Sequence, residues 1–126
     1  MSEKIEAVLF DFGGVFTDSP FHAVTAFGDE LGIDAGEVTR LVFGSYEHDG
    51  DHPWHRLERG EISLENARDE ILNLSLKRKL RVDIYELFAK MAGNNAGVES
   101  KRPLVDKVRS IKGEGYKTGI ITNNVM

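Results

Sequence analysis

The stretch VLFDFGGVF, residues 8–16, decides the fold of this chain. Its first half is short, rich in Val, Leu and Phe, and apolar on both faces from Ala7 onward. Such a run is typical of a parallel strand that helices cover on both sides. The run stops at Asp11, and Gly13 and Gly14 allow a sharp turn in which backbone amides can approach an anion. The stretch predicts an α/β fold with a reactive group at the carboxyl end of a buried strand.

A second strand is predicted near the other end of the chain, at TGIIT, residues 118–122. A helix is predicted before it, with Pro103 in its first turn and with Gly113 and Gly115 at its end. The apolar residues of this helix recur at helical spacing at Leu104, Val105, Val108 and Ile111. A helix that leads into a strand predicts a parallel partner for the first strand.

Polar side chains end both predicted strands. Asp11 ends the first strand, and Thr122 and Asn123 end the second. If the two strands are neighbours, a carboxylate nucleophile lies beside hydrogen-bond donors that can stabilise a developing oxyanion. Each motif alone also fits an ordinary turn at the end of a strand. Their combination favours a functional site.

The long segment between the strands is predicted to form several short helices. Polar N-capping residues precede its apolar runs at Ser19, Asp34, Ser63 and Asp83. Two of these residues have a Glu three positions later, which is the capping-box spacing, at Glu37 and Glu86. The segment is too long for a single crossover helix. We therefore predict a helical cap at residues 19–93, inserted into an α/β core formed by residues 1–18 and 94–126.

The composition excludes several classes of protein. The 126 residues carry a net charge of −5 with 16 Lys and Arg, which argues against a nucleic-acid binder that acts through a basic face. The absence of cysteine excludes disulfides and thiolate metal sites. No signal peptide or membrane-spanning run is evident, so we expect a cytoplasmic protein.

Two motifs in this order resemble those of the haloacid dehalogenase-like (HAD-like) hydrolase superfamily. FDFGGV, residues 10–15, is similar to the nucleophile motif, and IITNN, residues 120–124, is similar to the later Thr or Ser motif. The stretch before IITNN, from residue 102, resembles the family's helix–strand unit. WHRLERGEIS, residues 54–63, is similar to its helical cap. The resemblance is greatest to the branch that includes the N-terminal phosphatase domain of soluble epoxide hydrolases.

This resemblance implies a phosphatase-type hydrolase acting on a small phosphorylated molecule. Asp11 would attack a phosphate ester to give an aspartyl-phosphate, which water then hydrolyses, and Thr122 would assist. The groups implied to hold the phosphate are Phe12, Gly13, Gly14, Thr122 and Asn123. Mg²⁺ would bind the carboxylate of Asp11 and the main-chain carbonyl of Gly13.

The chain departs from the family pattern in two respects. Gly13 stands where phosphatase relatives usually carry the Asp that acts as general acid and base, and losing such a group removes a factor of about 10² to 10⁴ in rate. The family's later Lys and its final acidic pair have no counterpart before Met126. We therefore expect low activity or none, and weak or absent Mg²⁺ binding. The alternative is a non-catalytic remnant of the fold that acts as an interaction module or binds a small anion.

A parallel sheet of two strands leaves its edges unpaired and its faces half covered. The sequence therefore predicts self-association or a missing C-terminal segment. HDGDH, residues 48–52, places two imidazoles and two carboxylates close together, but a solvated loop is the favoured interpretation over a metal site. Trp54 and Leu57 are predicted to belong to the core of the cap.

Overall fold

The computed structural model describes residues 3–17, 19–93 and 96–122. Helices and strands are both present among them, so the chain has an α/β fold. The order of elements is β1 (Ala7–Asp11), α1 (Pro20–Leu31), α2 (Ala35–Phe43), α3 (Pro53–Glu58), α4 (Leu64–Lys77), α5 (Ile84–Gly93), α6 (Ala96–Gly113) and β2 (Lys117–Ile121). The described residues up to Pro20 and residues 96–122 form one compact unit, here called the α/β unit. Residues Phe21–Gly93 form a second, the helical unit.

The α/β unit contains the predicted pair of parallel strands. β1 and β2 are hydrogen-bonded neighbours, in register from Ala7 beside Lys117 to Asp11 beside Ile121. Helix α6 leads into β2 and packs against it. The predicted order of helix, strand and parallel partner is confirmed.

The sequence predicts strands buried on both faces, and this prediction is wrong. No residue of β1 or β2 is fully buried, and Leu9 and Ile121 are each 62% exposed. Residues paired in a parallel ladder point to the same side of the sheet, and successive residues of a strand point to opposite sides. Leu9, Asp11 and Ile121 therefore share one face of the sheet, and Phe10 lies on the other. Helix α6 packs against β2, but Ile120, on the face opposite Ile121, is 59% exposed, so both faces of the sheet are partly accessible.

Helix α6 also begins earlier than predicted. It runs from Ala96 through Pro103, which lies inside the helix instead of in its first turn. A proline has no amide to donate to the carbonyl of Glu99, yet exposed Pro103 is accommodated in a helix of 18 residues. None of the described helices combines the length and the apolar character needed to cross a membrane.

The helical unit contains the apolar core. Its buried side chains come from α1, α2, α4, α5 and the segment before α5: Val24, Phe27, Val38, Leu41, Val42, Phe43, Ile71, Val82, Ile84 and Leu87. Trp54 packs against this cluster, and Leu57 is fully buried. Two of the predicted N-caps form, since Asp34 accepts the amide of Glu37 at 3.2 Å and Ser63 accepts the amide of Asn66 at 3.1 Å.

The predicted capping box at α5 takes a different form. Asp83 accepts the amide of Tyr85 at 3.0 Å, but Glu86 pairs with Arg81 at 2.9 Å. The carboxylate of Asp83 also accepts two hydrogen bonds from Arg68, whose Nε and Nη2 donate at 2.9 and 2.7 Å. This bidentate pair ties α4 to the start of α5.

Candidate functional site

Asp11 is the last residue of β1, at the carboxyl end of the sheet. Its side chain is exposed, and its Oδ1 accepts the main-chain amide of Phe12 at 2.8 Å. This bond orients one carboxylate oxygen toward the backbone. The described part of the chain therefore presents an accessible carboxylate at the position where ligands bind in open α/β sheets.

A tight turn follows Asp11. The carbonyl of Phe12 accepts the amides of Val15 and Phe16 at 3.2 and 3.0 Å, which closes the turn. The ring of Phe16 stacks on that of Phe12 with centroids 6.2 Å apart. Gly14 has φ +76°, a left-handed conformation that strongly favours glycine. The glycines of the motif thus serve the turn that the sequence predicted.

The turn is open on the side of its glycines. A Cβ atom added at Gly13 or Gly14 would meet no other atom within 4 Å. The amide of Gly14 donates to the hydroxyl of Thr17 at 3.1 Å, and the amide of Phe12 already donates to Asp11. An anion bound to these two amides would therefore have to replace intramolecular acceptors.

Thr122 directly follows β2, at the same end of the sheet as Asp11. Because Asp11 pairs with Ile121, the backbone of Thr122 lies one position beyond the level of Asp11 on the neighbouring strand. The structure thus brings the predicted acid and the predicted alcohol to adjacent strand ends. Asn123, which the sequence also assigned to the site, lies outside the described residues.

The resemblance to HAD-like hydrolases implied a magnesium site at this end of the sheet. Asp11 supplies a carboxylate, and no group of three or more His, Asp and Glu side chains is arranged for a metal anywhere in residues 3–17, 19–93 or 96–122. Mg²⁺ is commonly held by one or two carboxylates together with substrate phosphate and water. The exposed carboxylate of Asp11 matches the smallest protein share of such a site.

Two histidines of the helical unit, His52 and His55, have structural partners that the sequence did not indicate. His52 is the N-cap of α3, where its Nδ1 accepts the amide of Trp54 at 3.2 Å, and its Nε2 lies 3.1 Å from the carbonyl of Leu41. Both ring nitrogens are thus engaged within the protein. A metal bound to His52 would have to displace one of these bonds.

His55 provides a second bond to the end of α2. Its Nε2 lies 3.0 Å from the carbonyl of Phe43, and its Nδ1 lies 3.1 Å from the carboxylate of Asp49. Both neighbours are hydrogen-bond acceptors, so each ring nitrogen of His55 faces an acceptor. The two imidazoles therefore close the last turn of α2, where backbone carbonyls have no partner within the helix.

The electrostatics of this histidine pair follow from burial and hydrogen bonding. Burial lowers the pKa of His52 below its usual 6.5, the bond to Leu41 opposes this, and the nearby His55 lowers the pKa further. The hydrogen bond from His55 lowers the pKa of Asp49, to which Arg59 also contributes. His52 therefore stays neutral in the folded chain near neutral pH.

The chain matches no model of a known protein family and no curated protein.

Proposed function

We propose that the chain is a HAD-like hydrolase of the phosphatase type, with Asp11 as its nucleophile. One observation carries the proposal. Asp11 and Thr122, 111 positions apart in the chain, come to neighbouring strand ends through the parallel pairing of β1 and β2. The open glycine turn beside Asp11 leaves room for a tetrahedral anion, which further supports this chemistry.

The reaction proceeds in two displacements. A carboxylate oxygen of Asp11 attacks the phosphorus atom of a phosphate monoester, and the ester P–O bond breaks as the leaving oxygen takes its electron pair and departs as an oxyanion, which takes its proton from solvent. Water then attacks the same phosphorus atom, and the P–O bond to Asp11 breaks to release phosphate and regenerate the carboxylate. The Thr122 hydroxyl donates to a phosphoryl oxygen during both displacements.

Bound Mg²⁺ supplies positive charge that offsets the charge on the phosphoryl oxygens. Asp11 and the main-chain carbonyl of Gly13 are the protein groups that would hold it. Phosphate and water would provide its remaining ligands.

The identity of residue 13 sets the rate that we expect. Gly13 cannot protonate a leaving group or activate water, so the first displacement favours leaving groups that are stable as anions. The second displacement lacks a general base and becomes the slow step. An aspartyl-phosphate should therefore accumulate on Asp11. This same feature favours the competing function, a module that binds a small anion without turnover.

The test is hydrolysis of p-nitrophenyl phosphate by the wild-type chain and by Asp11→Asn, each with and without Mg²⁺. The leaving group is a stable anion and needs no proton, so the absence of an acid at position 13 costs little in the first step. Asp106→Asn is the matched control, since Asp106 lies exposed on α6 in the same unit.

We expect slow release of nitrophenolate from the wild type and from Asp106→Asn, and none from Asp11→Asn. Equal rates for all three chains would rule out the enzyme proposal. Saturable binding of inorganic phosphate without turnover, lost in Asp11→Asn, would instead establish the anion-binding module.

A further inference from the structure

The helical unit contains a cleft that the proposed reaction does not use. Its volume is about 290 Å³, and it lies between the loop after α2 and one face of α3. Its lining includes the aromatic residues Phe43, Tyr46 and Trp54, the acidic residues Asp49 and Glu58, and the basic residue Arg59. Such a mixture of aromatic walls and a few charged groups is typical of small-molecule sites.

The aromatic walls are set by packing. The rings of Phe43 and Trp54 meet edge to face with centroids 4.9 Å apart, and Tyr46 lies 6.4 Å from Phe43. Phe43 is buried, whereas Tyr46 is 68% exposed. The cleft therefore has a fixed inner aromatic wall and an outer tyrosine ring that is accessible to a ligand.

The cleft is lined by two carboxylates, Asp49 and Glu58, one guanidinium, Arg59, and the imidazoles of His48 and His55. Arg59 donates to Asp49 at 2.5 Å and forms a bidentate pair with Glu61 at 2.6 and 3.1 Å, so two carboxylates offset its charge. Glu58 lies four residues after Trp54, on the same face of α3. Burial raises the pKa of the Tyr46 hydroxyl, and the charge of Glu58 raises it further.

We propose that this cleft binds a small organic cation of the quaternary ammonium type, with Tyr46 and Trp54 presenting aromatic faces and Glu58 supplying the opposing charge. A methylated ammonium group is attracted by the negative face of an aromatic ring and has apolar methyl groups that fit between rings. Two carboxylates against one guanidinium disfavour an anion. This inference concerns the helical unit alone and does not depend on the proposed hydrolase activity.

Choline chloride is the probe, and 3,3-dimethyl-1-butanol is its neutral control of the same shape. Trp54 is the only tryptophan of the chain, so its fluorescence reports on the cleft. Saturation-transfer NMR on the methyl protons of each probe provides a second readout. Sodium chloride keeps the ionic strength constant. We expect saturable binding of choline in the millimolar range, at least about fivefold tighter than binding of the neutral probe.

Two variants test the assigned roles. Tyr46→Leu keeps an apolar side chain but removes the ring, and Glu58→Gln keeps the size but removes the charge. Each should weaken choline binding about three- to tenfold and leave binding of the neutral probe unchanged. The matched controls are Tyr85→Leu and Glu65→Gln, at exposed positions on α5 and α4 outside the cleft. Circular dichroism of each variant verifies that the helices are retained.

Equal affinity for choline and the neutral probe would overturn the proposal. So would the absence of both a fluorescence change and saturation transfer with choline, or full choline affinity in folded Tyr46→Leu. Weaker binding in Tyr46→Leu and Glu58→Gln, with unchanged binding in the two control variants, supports it.

Discussion

Asp11 and Ile121 are paired at the carboxyl end of the parallel two-stranded sheet, in the same register that aligns Ala7 with Lys117. If one strand slipped by one residue, its side chains would move to the opposite face of the sheet, while those of the other strand would stay in place. The pairing therefore fixes which residues of β1 and β2 share a face. It also fixes Thr122 as the residue that follows the partner of Asp11 at the end of β2. It is the structural basis for considering Asp11 and Thr122 together.

Replacing Gly13 with Asp should increase phosphatase activity. A Cβ at this position meets no atom within 4 Å, so the new side chain is accommodated. The carboxylic acid would protonate the leaving group and then activate water, and we expect a gain of about 10²-fold or more with alkyl phosphates. The measurement is phosphate release from a phosphorylated primary alcohol.

Two variants control for this gain. Gly13→Asn has the same size but no acid, and it should stay at the wild-type rate. Gly14→Asp places an acid one position later, where φ is +76° and any side chain strains the backbone. A gain of equal size in Gly13→Asn would show that the effect does not come from proton transfer.

Gly44 and Gly60 should respond differently to alanine. Both have positive φ, +73° and +72°. A Cβ at Gly44 would lie 2.7 Å from Cγ of His52 and 3.0 Å from Nε2 of His55, whereas one at Gly60 meets nothing within 4 Å. Gly60→Ala should lower the free energy of unfolding by about 1–2 kcal/mol, which is the cost of the backbone conformation.

Gly44→Ala should cost at least about 1 kcal/mol more, because ψ of −155° at Gly44 is a conformation essentially restricted to glycine and because the two imidazoles have to move away from the carbonyls that they bind. Urea denaturation followed by circular dichroism measures both variants. Equal costs for Gly44→Ala and Gly60→Ala would contradict the close packing at the end of α2.

The pair between Arg68 and Asp83 should contribute more to stability than the exposed pair between Arg81 and Glu86. The side chain of Asp83 is 3% exposed and accepts two bonds from Arg68. We expect Asp83→Asn to lower the free energy of unfolding by about 2 kcal/mol, because it weakens bonds that join α4 to α5. Glu86→Gln, on the surface, should cost less than about 0.5 kcal/mol. Chemical denaturation at pH 7 compares them, and similar costs would contradict this assignment.

His52 should make the stability of the helical unit depend on pH. Its pKa lies below 6.5 in the folded chain, mainly because of burial, whereas the unfolded chain titrates near that value. Protonation is therefore more favourable in the unfolded chain. The contribution to stability is complete above about pH 6.5 and is lost as the pH falls below it. Protonation of Nδ1 also removes the acceptor for the amide of Trp54.

His52→Asn isolates this effect. Asparagine is a good N-cap and can accept the same amide, but it does not titrate. It cannot replace the bond to Leu41, so the variant should be less stable by about 1 kcal/mol at pH 7.5. Its free energy of unfolding should fall less than that of the wild type between pH 7 and pH 5. Parallel pH profiles would show that His52 is not responsible.

Local sequence patterns predicted much of the secondary structure. The N-caps at Asp34 and Ser63 were predictable because each cap binds an amide only three positions later in the sequence. The end of α1 was predictable from Gly32, which directly follows the helix and has a left-handed conformation. The parallel pairing of β1 with β2 was also predictable, because a helix leads directly into the second apolar run and so favours a parallel partner for the first. The positions of Asp11 and Thr122 at the strand ends follow from that topology.

The features that were missed depend on contacts between distant residues. Arg68 and Asp83 are 15 positions apart, and His55 binds a carbonyl 12 positions before it. The run HDGDH is an exposed loop at residues 48–51 before the short helix α3, as predicted, but the half-burial of its last residue, His52, was not foreseen. An apolar strand pattern predicted burial, yet the exposure of Leu9 depends on which elements pack on the sheet.

The central claim is that Asp11 becomes covalently phosphorylated, and mass spectrometry tests this most directly. The wild-type chain, Asp11→Asn and Asp106→Asn are each mixed with p-nitrophenyl phosphate, quenched in acid and measured as intact proteins and as peptides. Because Gly13 provides no base for the second displacement, the phosphorylated form should accumulate in the wild type and in Asp106→Asn.

We predict the mass of one phosphoryl group on the peptide that contains Asp11, released by hydroxylamine and absent from Asp11→Asn. No added mass in the wild type, or a phosphoryl group that remains in Asp11→Asn, would contradict the proposed mechanism.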